Sequence, residues 1–200
     1  MITSYSTLKT SIANYLHRSD LTDLIPEFIA DGEARIYNDL RIRAMETAFS
    51  GTTSSGTIAL PSGFLEWIYL YADGDSNQKL ERRDMEWIVA NYPSATGTPL
   101  YFARDGEHLK FGPEPDADTA LVGRYYKRLD ALSDSNTTNW FTSNAPELLR
   151  FAALCEAAPY IGNDARIPVW EGKYAAVKQR LKMTERNEQF SGSRLTTRPA

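Results

Sequence analysis

The hydrophobic pattern changes period twice along this chain, and that double switch limits the folds open to it. Leu8, Ile12 and Leu16 recur every four residues with Ser6 placed to cap the start, so a first amphipathic helix is expected over residues 7–18. Pro26 suits an early helical position, and Ile25, Phe28, Ile29, Ile36 and Leu40 mark one apolar side of a second helix over 25–42. Asp31, Arg35 and Asp39 follow at four-residue steps and are expected on its outer face, as a ladder of alternating sign. From Thr47 the texture changes to short runs of β-branched and aromatic residues cut by Gly, Pro, Asp and Ser, which predicts strands at 46–50, 56–60, 64–72, 99–104, 107–112 and 120–127. Asp105-Gly106 is expected to supply both central residues of a type I′ hairpin turn. Asp84 is placed to cap a short helix through Trp87, Ile88 and Val89, stopped by Tyr92-Pro93.

Helical period returns after the polar stretch Asp130 to Asn139. Ala145-Pro146-Glu147 opens a helix running to Tyr160, whose alanines predict close packing against another helix. Pro168 starts a last long helix in which Trp170, Tyr174, Val177 and Leu181 form a narrow seam. The expected class is therefore α+β, an antiparallel helical bundle from the N- and C-terminal helices with a β-rich insertion between them. In residue terms, 1–45 and 140–190 form the bundle core, 46–128 the insertion, 129–139 a connecting loop, and 191–200 a flexible C-terminal tail dominated by Gly, Ser, Thr, Arg and Pro.

Charge is segregated along the chain. Arg166 to Ala200 holds eight basic and three acidic residues, a net of +5, so residues 1–165 carry −9 of the total of −4. Such a split points to a partner, or to copies of the same chain, because the basic end of one can dock on the acidic body of another. The single cysteine, Cys155, excludes an internal disulfide framework and is expected as a buried thiol behaving as a small hydrophobe. The start Met1-Ile2-Thr3-Ser4-Tyr5 lacks the basic and apolar runs of a secretory signal, and no stretch has the length and apolarity of a membrane span.

The usual equipment of an enzyme is missing from the sequence. His17 and His108 stand far apart without a second metal-type ligand at helical spacing, and no phosphate-binding glycine loop or nucleophile elbow is present. Asp73-Gly-Asp75-Ser-Asn77 begins as a calcium loop begins, with Asp84 at the twelfth position, but Gln78 replaces the turn glycine. Glu27 and Asp31, one helical turn apart, are the pair that a carbohydrate- or peptidoglycan-active hydrolase would use as acid and base, and a solvated acidic face is the competing reading. The basic C-terminal segment leaves a nucleic-acid binding module as a further alternative, against an overall acidic chain with Glu171, Glu185 and Glu188 interleaved. No cofactor, metal site or catalytic residue is assigned.

The order of short segments resembles the head-to-tail adaptor, or connector, proteins of tailed bacteriophages, in particular those of short-tailed phages. Tyr5-Ser-Thr-Leu8-Lys, Ile12-Ala-Asn-Tyr-Leu16-His-Arg-Ser-Asp20, Ile25-Pro-Glu-Phe-Ile29, Glu33-Ala-Arg35-Ile36 and Leu40-Arg41 carry it at the N-terminal end. Leu60-Pro61-Ser62-Gly63-Phe64-Leu65-Glu66, Phe111-Gly112-Pro113-Glu114-Pro115, Tyr125-Tyr126 and the alanine-rich helix after Pro146-Glu147 continue it. The resemblance implies a structural protein of the virion neck, made in the host cytoplasm, with no enzymatic activity, no cofactor and no membrane association. It implies a ring of twelve subunits beneath the portal protein that extends the DNA channel and offers a platform to the tail nozzle or another tail protein, with genomic DNA passing without sequence-specific binding. A C-terminal extension that orders on the portal would here be Ser191 to Ala200, with Arg194, Leu195 and Arg198 as its contact residues, and Lys178, Lys182 and Arg186 would form a basic helix facing a neighbour or partner.

Overall fold

Ser4, rather than Ser6, starts the first helix. In this computed structural model, which describes residues 1–73, 78–162 and 164–190, helix α1 spans Tyr5–Leu16 and opens on a reciprocal capping box. The Ser4 hydroxyl accepts from the Thr7 backbone N–H, and the Thr7 hydroxyl accepts from that of Ser4. A cap at Ser6 would put Lys9, which carries no acceptor, at the position where the box needs one. A 3-10 turn at Ser19–Leu24 leads into α2, Ile25–Asp39, with Pro26 in its first turn. The helix ends earlier than its apolar residues predict because Leu40 is extended, with φ −128° and ψ 142°. Leu40 and Ile42 are both buried, and their two-residue spacing belongs to an extended segment, not to a helix face.

Two compact units result, Met1–Ala44 with the chain from Leu129 onward, and Met45–Arg128. The first is helical. After a short α4, Trp140–Asn144, which precedes the helix start expected at Ala145-Pro146, come α5, Pro146–Glu156, α6, Ala158–Ile161, and the long α7, Ile167–Phe190. The expected single helix to Tyr160 is broken into α5 and α6 where Pro159 removes a backbone donor. Contacts run in opposite order along α2 and the segment 141–160: Phe28 meets Tyr160 and Tyr37 meets Phe141, with Gly32 at Ala153 between them. A Cβ on Gly32 would lie 2.8 Å from the Ala153 nitrogen, so the two helices touch backbone to backbone, the close approach that the alanines predict. Helix α7 lies antiparallel to α5, with Arg180 at Glu147, and therefore runs parallel to α2.

The second unit is β-rich; its described residues form strands β1 Glu46–Thr52, β2 Thr57–Ala59, β3 Phe64–Ala72, β4 Gln78–Lys79, β5 Glu81–Arg82, β6 Tyr101–Asp105, β7 His108–Gly112 and β8 Ala120–Lys127, with helix α3 at Met85–Asn91. They form two four-stranded sheets, ordered β1-β8-β3-β4 and β2-β7-β6-β5, antiparallel except for the β5–β6 pair. Leu70, Leu80, Phe102, Leu109, Phe111 and Leu121 are buried together, with Phe49 and Trp67 packed against them. The short β4 and β5 carry exposed polar side chains, which hides them from a pattern search. N- and C-terminal helices flanking a β-rich middle make the chain α+β.

The type I′ turn falls elsewhere than the sequence predicts. Asp105 pairs with His108, so the β6–β7 loop is Gly106-Glu107, and only Gly106 has positive φ, as the type II′ pattern requires of its first central residue. The type I′ pattern falls instead on Ser55-Gly56, at φ 50° and 72°, where Ser54 and Thr57 exchange backbone hydrogen bonds. Asp84 sits at the N-cap of α3 but makes no side-chain cap bond. Among the described residues no helix is long and apolar enough to cross a membrane.

Candidate functional site

Helix α7 carries the basic face that the charge split singles out, and what fixes it to the bundle decides which of its residues are free. Trp170, Tyr174 and Val177 are buried at 3%, 1% and 6% exposure, so the expected seam is the packed side as far as Val177, while its last member, Leu181, is half-buried and lines an open groove. Beside the seam runs a polar network. Arg35 of α2 donates to Glu171 at 2.6 Å and to Glu156 at 3.1 Å, and its guanidinium lies over the Tyr174 ring. The Tyr174 hydroxyl donates to Asp39 at 2.8 Å, and Lys178 Nζ donates to the same carboxylate oxygen at 2.8 Å. One helical turn separates the partners on each helix, so parallel α2 and α7 are stitched in register.

Burial alone would raise the carboxyl of Asp39, yet hydrogen bonds from Lys178 and Tyr174 hold it below its ordinary value. The Tyr174 hydroxyl is pushed up, first by burial and then by Asp39, so it stays a donor. Arg35 is raised in spite of its burial because Glu171 and Glu156 favour its charge. The ladder placed by the sequence on the outer face of α2 thus turns inward at two of its three members. Arg35 and Asp39 bind α7, while Asp31 is exposed.

This divides the residues expected to face a partner. Lys178 is engaged within its own chain by Asp39, whereas Lys182 and Arg186, one and two turns further on, are exposed. Their part of α7 leaves α5 behind and forms one wall of an open groove of about 720 Å³ opposite Arg43 and Trp140. Glu185 reaches back from that wall to the Arg43 backbone N–H at 2.9 Å. Arg194, Leu195 and Arg198 lie outside the described residues, as does the rest of 191–200.

A second polar device holds the segment after Arg128. Glu33, 4% exposed, accepts from the Leu132 backbone N–H at 3.3 Å and from the Asn139 amide at 3.1 Å. Burial raises its carboxyl, and these two donors oppose the rise. Asn139 also caps α4 through its other side-chain atom, so one residue joins the loop to both helices. Sequence reading missed Glu33 because a glutamate on the apolar side of a helical wheel carries no pattern of its own.

The chemical candidates fall apart in space. Glu27 and Asp31 are both solvent-exposed and line none of the grooves described for the helical unit. His17 is exposed as the left-handed C-cap of α1 and His108 is exposed on β7. Among the described residues no group of three or more His, Cys, Asp or Glu is arranged to hold a metal ion. The calcium-like stretch lies outside the described residues from Gly74 to Asn77. Cys155 is buried, its thiol pushed up to about 12 mainly by that burial, which suits a packing role.

Comparison with known families places the whole arrangement. The family model described as SU10 adaptor protein matches residues 3–198. No curated protein matches the chain.

Proposed function

The chain belongs to the SU10 adaptor protein family, and from that premise we propose that it is the ring-forming head-to-tail adaptor of a phage virion. Its family is one of structural phage proteins, and the match over nearly the whole chain is the observation that carries the reading. In this reading twelve subunits sit beneath the portal in the virion neck, extend the DNA channel and present a platform to the tail nozzle or another tail protein. Genomic DNA passes through without sequence-specific binding.

The anchoring of α7 supports a division of labour along that helix. Its first half is committed to the bundle through Trp170, Tyr174 and Lys178, and its second half carries Lys182 and Arg186 into solvent toward residue 191. The proposed portal contact is made by Arg194, Leu195 and Arg198, and the exposed lysine and arginine of α7 face a neighbouring subunit or the portal. A tail that gains order only on its partner makes assembly sequential, because the ordering entropy is repaid at that contact alone. Deleting Ser191 to Ala200 is expected to leave the melting transition unchanged and to abolish binding to the cognate portal. A truncated protein that binds the portal as well as the full chain contradicts the assignment.

A further inference from the structure

The two ends of the β-rich unit differ in charge and shape, and we propose that the acidic loop at one end of a subunit docks into the arginine-lined mouth at the opposite end of the next copy. The mouth is built where Leu60-Pro61-Ser62-Gly63-Phe64 meets the β6–β7 hairpin. Two cavities there, of about 320 and 60 Å³, share Phe64 and Arg104 and so form one cleft. Its floor is aromatic: Phe64, Trp67 and Phe102 belong to one chain of ring contacts, with Phe64 5.1 Å and Phe102 6.4 Å from Trp67.

Charge at this cleft is positive. Arg82, Arg104 and Arg128 line it against Glu66 and Glu107. Arg82 and Arg104 are exposed and, among the described residues, paired with no carboxylate; Arg104 donates only to the Gly106 carbonyl. Two uncommitted guanidiniums at a cleft with an aromatic floor call for a ligand with carboxylates and a small apolar body.

Strand direction puts such a ligand on the same molecule, at the far end. Strand β7 leaves the mouth at His108 and ends at Gly112, and β8 begins at Ala120 and returns to the mouth at Lys127. The connection 113–119 therefore lies away from the Phe64 side of the mouth by the length of β8, roughly 26 Å at 3.3 Å per residue, while Arg82, level with Phe102 and Phe111, stands nearer to it. It carries Glu114, Asp116 and Asp118, and Asp116, Ala117 and Asp118 are exposed. Among the described residues Asp116 and Asp118 pair with no cation, and Thr53 ties the loop down through its backbone and hydroxyl contacts to Thr119. The loop at the far end of β8 leaves the Phe64 side of its own mouth open to another copy. A contact between opposite ends is heterologous, so it propagates from copy to copy and closes as a ring when the rotation allows. The inference thus rests on the self-association read above and names the surfaces that make it.

The test uses the full chain and a synthetic peptide of residues 112–120, followed by tryptophan fluorescence. Saturable binding is expected, weakening about tenfold or more in R82E/R104E and with rising salt. A peptide with lysine at the positions of Asp116 and Asp118 is expected to reverse the preference, binding R82E/R104E and not the wild type. No binding to the wild type, or equal binding to R82E/R104E, overturns the proposal. Portal binding is measured separately, so a chain that joins the portal while its mouth ignores the peptide sinks this inference alone. A chain that binds the peptide but no portal sinks the adaptor reading.

Discussion

The helical unit and the β-rich unit solve the same packing problem with different chemistry. Around α7 the apolar seam of Trp170, Tyr174 and Val177 is bordered by charged groups that satisfy one another, Arg35 with Glu156 and Glu171, and Asp39 with Tyr174 and Lys178. The β-rich unit buries Leu70, Phe102, Leu109, Phe111 and Leu121 against Phe49 and Trp67, and its charges stay at the surface. Apolar burial is tolerant of register and insensitive to pH, whereas a hydrogen-bonded ion network demands one alignment and responds to protonation. Helix α7, which leads to the residues proposed to meet the portal, is the element held by the pH-sensitive kind.

That contrast can be broken from either side. The largest effect is expected from Phe111→Ala, which empties the middle of the β-rich core at a cost of about 3–5 kcal/mol. Hydrogen exchange should rise first in β6, β7 and β8, with the acid dependence of stability unchanged. Gly32→Val comes next, at roughly 3 kcal/mol, because its side chain would have to displace the Ala153 backbone of α5. Its signature is a lowered melting temperature with exchange rising in α2 and α5.

Removing one partner of the network should act more mildly. Arg35→Ala leaves Glu156 and Glu171 facing each other without a cation, and the partial exposure of all three holds the loss to about 1–2 kcal/mol. Added salt should shrink the difference from the wild type in denaturant titrations. Asp39→Asn is the finest probe. Because the folded state holds Asp39 below its ordinary value of 3.8, the carboxylate contributes stability that is complete above that value and disappears as pH falls through the lower folded one. The variant should therefore lose less stability than the wild type between neutral pH and the acid range. Glu33 has the opposite sign: its folded value lies above 4.5, so its contribution is complete below that and is lost as pH rises through the folded value. Glu33→Gln should flatten that second dependence and leave the acid limb intact.

How much of this was legible beforehand follows from the period of each pattern. The long amphipathic helices were readable because Leu8, Ile12 and Leu16, or Trp170, Tyr174 and Val177, repeat at helical spacing and are buried as the spacing demands. The longer strands were readable as short runs of β-branched and aromatic residues cut by Gly, Pro, Asp and Ser. What stayed hidden depended on partners distant in sequence. Arg35 and Asp39 look like a solvated ladder until α7 is laid beside them, although Tyr174 and Lys178 show the same four-residue step and could have signalled the match. The capping boxes at Ser4 and Asn139 were missed because Thr, rather than the usual Glu or Gln, supplies the reciprocal acceptor. Of the residues expected to face a partner, Lys182 and Arg186 lie exposed on α7 and Lys178 is held by Asp39, while Arg194, Leu195 and Arg198 lie outside the described residues.

The adaptor reading is tested most directly by the mass of the purified chain alone and after mixing with its cognate portal, by mass photometry or analytical ultracentrifugation. The account predicts a shift from small species to a closed ring of subunits on the portal. A chain that keeps its mass in the presence of the portal contradicts it.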